Sequence, residues 1–126
     1  MHPTTPTLHL PAQDVVQRQL DAYNARDLEG WLATYADDAV QYLLHGDTLA
    51  VGKAAMRARM VERFADPALH AQLVSRTVMG DLVVDHEVVT RTLPEGHGTV
   101  EMICLYEVKA GRIAKATFAI GQPRPK

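Results

Sequence analysis

The sequence predicts an α+β domain: three N-terminal helices packed in the concave face of a curved, mostly antiparallel sheet. Three observations carry this expectation. Apolar residues recur at helical spacing up to about residue 65 and at strand spacing from residue 69 onward. Glycine-bearing turn signals divide the second half into successive strands. One early strand lies between the helices, and helices followed by a run of strands indicate α+β rather than parallel α/β architecture.

Residues 11–25 read as the first helix. Pro11 suits a first turn, where its missing N–H costs nothing, and Asp14 suits the positive end of the dipole. Val15, Val16, Gln19, Leu20 and Tyr23 share one face. Asn24-Ala25-Arg26-Asp27 breaks the helix, and Asp27 can cap a second one whose Leu28, Trp31, Leu32 and Tyr35 form a core-facing stripe. Gly30 within it costs up to about 1 kcal/mol relative to alanine. Asp37-Asp38 ends that helix. Ala39–Leu44 reads as a strand bounded by His45-Gly46-Asp47. A third helix, about 53–65, buries Met56, Met60 and Phe64 and stops at Asp66-Pro67, because proline disfavours helix in the residue before it. Strands follow over Leu69–Met79, Leu82–Leu93, Thr99–Val108 and Arg112–Ile120. Their connections are Gly80-Asp81, a Pro94–Gly98 hairpin loop and Ala110-Gly111.

With 126 residues, 47% apolar and 22% charged, the chain forms one domain over residues 11–121, flanked by mobile tails at 1–10 and 122–126. A net charge of −2 gives no electrostatic reason to expect nucleic acid or an anionic membrane as partner. The closest basic pair on a helix, Arg57 and Arg59, is two apart and off a common face. No apolar run is long enough to span a membrane. One cysteine, Cys104, cannot form an internal disulfide, which fits a cytoplasmic location. The histidines (His2, His9, His45, His70, His86, His97) show no i, i+4 helical pair and no His-x-His spacing, so no metal or other cofactor is expected.

Several segments carry a resemblance. Val15-Val16-Gln17-Arg18-Gln19, Asn24 to Gly30 and Tyr35-Ala36-Asp37-Asp38-Ala39 closely resemble the N-terminal half of bacterial ketosteroid isomerases. Gly52-Lys53-Ala54-Ala55-Met56-Arg57 is similar to the start of their third helix. Tyr106-Glu107-Val108 and Gly111-Arg112-Ile113-Ala114-Lys115 resemble the closing hairpin of the wider SnoaL-like, nuclear-transport-factor-2-like superfamily. The resemblance covers about residues 12–121. It implies the cone fold and a ligand cavity at its open end.

It also implies where the isomerase groups would stand. The helix tyrosine falls on Gln19, the strand carboxylate base on Leu43 and the second oxyanion donor on Cys104. Leucine cannot carry a proton, and a thiol is a poor donor. Losing one oxyanion donor commonly costs about 10²–10³ in rate, so ketosteroid isomerisation is not expected.

The same alignment sends Gln41, Leu43 and His45 inward on the first strand. It sends Asp85, Glu87, Val89 and Arg91 inward on one later strand, and Val100, Met102, Cys104, Tyr106 and Val108 on the next. His45 is a candidate for proton transfer because histidine ionises near neutrality. Glu87 is the other, since a buried carboxylate is pushed upward and can act as a base, whereas a neighbouring arginine such as Arg91 would make it structural. Gln19, Leu43, Arg91, Met102, Cys104 and Tyr106 are the expected ligand contacts. Trp31 and Tyr35 are expected to pack. Two functions follow. One is a pocket enzyme moving a proton next to a carbonyl, isomerase or cyclase in type, on a small apolar or polycyclic molecule. The alternative is a non-catalytic ligand-binding or dimeric module. The outer sheet face, with Val84, His86, Val88, Ile103 and Leu105, suits a helix cover or a homodimer interface better than water.

Overall fold

Helix α1 spans Ala12–Ala25 and buries Val15, Val16, Gln19 and Leu20 in the computed structural model, which describes residues 10–125; residues 1–9 of the expected N-terminal tail lie outside that range. Arg26 ends α1 in the left-handed region (φ 56°). Its guanidinium donates to the carbonyls of Asp66, Pro67 and Leu69 at 2.9–3.0 Å. Next to it, Asn24 exchanges two hydrogen bonds with the backbone of Ala71, donating at 2.9 Å and accepting at 2.8 Å. The break between the helices is therefore also a clamp on a distant strand.

Asp27 caps α2 (Leu28–Ala33), accepting from the Gly30 N–H at 3.0 Å. A Cβ at residue 30 would sit 2.3 Å from the Asp27 carboxylate, so the glycine permits the cap. α2 is shorter than its apolar stripe predicts. Tyr35 opens β1 (Tyr35–Leu43) instead, because the Ile113 N–H bonds the Thr34 carbonyl and Tyr35 pairs with Ile113. Strand pairing here overrides helical periodicity.

A turn at residues 44–47 leads to β2 (Thr48–Val51), a four-residue strand absent from the sequence reading, which pairs back on β1. α3 (Gly52–Phe64) follows, burying Met56 and Met60. β3 (His70–Met79), β4 (Leu82–Leu93), β5 (Gly96–Lys109) and β6 (Arg112–Ile120) form the meander. The expected five-residue hairpin loop tightens to Pro94-Glu95, since Gly96, His97 and Gly98 pair with Leu93, Thr92 and Arg91. Arg124–Pro125, expected in a free tail, forms β7 beside Thr99 and Gly98. Gly98 makes this approach possible: a Cβ there would lie 2.7 Å from the Arg124 carbonyl oxygen.

The sheet order is β2-β1-β6-β5-β4-β3, antiparallel throughout except for β1 beside β6, and it stays open between β2 and β3. The three helices cover its inner face. The main core joins Val16, Trp31, Met56, Val83, Val108 and Ile113, while Leu20, Leu69, Ala71 and Val89 form a second cluster. Tyr23, Phe64 and Met102 touch both clusters, and a hollow lies between them.

Candidate functional site

The hollow is a cavity of about 80 Å³ lined by α1, α2, α3, β1, β2 and the inner face of β4–β5–β6. Strand alternation decides its lining. Glu87 pairs with Met102 and Val89 with Val100 across β4 and β5, so Glu87, Val89 and Arg91 enter from one strand and Met102, Cys104 and Tyr106 from the next. Gln19 enters from α1. These inward sets agree with the sequence reading.

The first strand departs from it. Gln41 points inward and is 1% exposed, but the ladder shifts register between Gln41 and Tyr42. Leu43 is only half-buried and does not line the cavity, and His45 is exposed on the turn that leads to β2. The expected inward alternation therefore ends at Gln41, because the chain turns away at Leu44.

Five contributors escaped the sequence reading. Trp31 and Tyr35, both assigned to packing, reach the cavity from α2 and β1. Arg59 and Arg63 reach it from α3; their spacing of four places them on one helix face, a signal present in the sequence. Arg76 on β3 makes a two-pronged ion pair with Asp85, Nε to Oδ1 at 2.6 Å and Nη2 to Oδ2 at 2.9 Å. Its Nη1 donates to Gln17 on α1 at 2.9 Å, so the fully buried Asp85 is answered within one network.

Glu87, two residues along and 5% exposed, forms no ion pair among the described residues. Burial, reinforced by the Asp85 charge, pushes its carboxyl up to about 7 against the partial pull of Arg76 and a Cys104 hydrogen bond. Burial also holds the Cys104 thiol well above its ordinary range, the opposite of what a thiolate nucleophile needs. The Tyr35 and Tyr106 phenols are raised by burial too, and remain neutral donors.

The polar atoms that lack partners gather here. Gln19 Oε1, Trp31 Nε1, the Tyr35 hydroxyl and Glu87 Oε2 are all buried without a hydrogen bond among the described residues, and all four side chains line the cavity. Buried polar groups are nearly always satisfied, and here two donors and two acceptors without partners among the described residues face one cavity. Among the described residues, no three of His, Cys, Asp and Glu come together as a metal site would require. No described helix is long and apolar enough to cross a membrane.

Fold and site together define an α+β cone domain with a small, largely apolar cavity that holds a few polar side chains. The chain belongs to the SnoaL-like domain family, whose model matches residues 16–116. Among solved structures, an uncharacterised cystatin-fold protein from Novosphingobium aromaticivorans is 23% identical, with a TM-score of 0.80 over 87% of this chain and 98% of that one. Wild-type IdmH from Streptomyces antibioticus, a candidate polyketide cyclase, is 21% identical, with a TM-score of 0.73 over 86% and 91%. A hypothetical protein with a ketosteroid isomerase-like fold from Catenulispora acidiphila, solved in complex with trimethylamine, is 15% identical, with a TM-score of 0.74 over 86% and 85%. At these identities the likeness is one of fold. The comparison with curated proteins finds no match.

Proposed function

We propose that the protein is a pocket enzyme of isomerase or cyclase type that moves a proton on the carbon next to a carbonyl group. One observation carries the reading. A buried carboxyl whose pKa is pushed up to about 7 shares a cavity with two unpartnered donors, the Tyr35 hydroxyl and Trp31 Nε1. At that pKa Glu87 is half ionised near neutrality, the condition under which one group both takes and returns a proton. In the reading, the Glu87 carboxylate takes the α-proton and the electron pair moves onto the carbonyl oxygen. Tyr35 and Trp31 donate to that developing oxyanion, and Glu87 returns its proton to carbon or oxygen. No outside oxidant or metal enters the balance.

Glu87 thus occupies the role that Leu43 cannot, from a different strand. The exposed position of His45 gives it no part in the step. The cavity volume supports a small carbonyl compound over a polycyclic one, since pockets for drug-sized ligands run to about 300–1,000 Å³.

The test is exchange of α-protons of small ketones for deuterium, followed by NMR in heavy water. The reading expects exchange above background that disappears in Glu87→Gln; equal exchange in the two proteins would reject it. A binding module without chemistry is the other outcome of the same assay. We further propose that a second copy covers the outer sheet face, where Ile103 is 41% exposed beside Leu105 and Val84.

A further inference from the structure

We propose that the ligand carries a compact anionic group, a carboxylate, that seats on Arg59, Arg63 and Arg91 at the cavity mouth while its reacting end lies toward Glu87. The inference rests on the cavity being a ligand site, as read above, and adds the ligand's charge.

Three guanidiniums share this wall. Arg59, Arg63 and Arg91 line the inner cavity and also an outer depression of about 260 Å³, so they stand between the two. Arg59 and Arg63 are one turn apart on α3, and Arg91 faces them from β4. None of the three makes an ion pair among the described residues. Among the described residues, Arg59 is held only by the neutral Gln41 Oε1, at 2.5 Å. Two carboxylates edge the outer depression; Asp66 draws weakly on Arg91 through space, but neither carboxylate forms an ion pair with the cluster. Asp66 spends its oxygens on Thr92 and Ala68, at 2.7–2.9 Å, and Glu62 is exposed.

Desolvation first, and the neighbouring Arg63 second, act against the charge on both Arg59 and Arg91. Like charges drawn together at the rim of a partly buried hollow are unfavourable unless something of opposite sign joins them. Guanidinium forks match carboxylates in shape as well as charge. The four unpartnered polar atoms behind them independently call for a guest with polar atoms at its inner end.

The full-length protein is titrated with levulinate and methyl levulinate, which differ only in the charge, and with propionate and its methyl ester. Thermal shift and the arginine Nε–H NMR signals are the readouts. The acids are expected to raise the melting temperature and move the arginine signals, more weakly as salt rises, while the esters do neither. In Arg63→Gln acid affinity should fall about tenfold or more. The ligand-free variant should melt at or above the parent, because the charge opposing both neighbours is gone; Arg91→Gln is the second variant should the first not fold. Esters binding as well as acids would overturn the carboxylate seat and leave the proton-transfer reading standing. Acids that leave the arginine signals unmoved would overturn it outright, while the exchange assay judges Glu87 separately.

Discussion

Asp85 and Glu87 stand two residues apart on the same inner face of β4, one tied to Arg76 at 2.6 Å and 2.9 Å and the other without a cation of its own. The contrast assigns different work to two side chains that look alike in sequence. Asp85 holds β3, β4 and α1 together. Glu87 is left to titrate.

Stability should therefore depend on pH through Glu87 with an unusual sign. Its folded pKa of about 7 lies above the ordinary 4.5, so between those values the folded state binds more protons than the unfolded one. Stability from this group is complete below about 4.5, declines as pH rises to about 7, and is flat above. Thermal melts across that window should show the decline in the parent and not in Glu87→Gln. Above pH 7 the variant should be more stable by at most roughly 3 kcal/mol, the difference between 4.5 and about 7 taken in full.

Any exchange or turnover that depends on the Glu87 carboxylate should rise with pH and level off above about 7. A profile flat from pH 5 to 9 would remove Glu87 from the chemistry.

Tyr35→Phe separates function from packing. The hydroxyl is buried without a partner, so its loss should leave the melting temperature unchanged or raise it. Exchange should fall about 10²–10³-fold if that hydroxyl holds the oxyanion. A destabilised protein with full activity would return Tyr35 to the packing role its sequence suggests.

Arg76→Met leaves the Asp85 carboxylate buried and unanswered, a change that commonly costs about 3–5 kcal/mol. Adding Asp85→Asn should restore much of this in denaturant melts. Additive losses would show that the pair is not coupled.

A second copy on the outer sheet face predicts a dimer by sedimentation at micromolar concentration and a monomer for Ile103→Lys. A parent protein that sediments as a monomer would refute that interface.

Much of this was readable in the chain. The change from helical to strand spacing locates the domain's two halves, and the family resemblance together with strand alternation puts Glu87, Met102 and Cys104 on the inward face that β4 and β5 show. What failed did so where distant partners decide. Tyr35 fits the α2 stripe until Ile113 claims the segment as strand. A register shift at Gln41 and an early turn, neither visible as periodicity, exclude Leu43 and His45 from the cavity. Arg76 and Asp85 are nine residues apart on neighbouring strands, and only the β3–β4 register makes them partners. The Arg59–Arg63 spacing was present and informative, but its meaning depends on Arg91 arriving from another element.

Asn24 also has a consequence for solubility. β3 lies at the sheet's margin, where unpaired peptide groups invite strands from other molecules. The Asn24 amide occupies both the N–H and the carbonyl of Ala71, imitating a neighbouring peptide bond with a side chain. An intruding strand would find that end of the margin already taken, so a residue in the last turn of the first helix also shields the edge against edge-to-edge pairing.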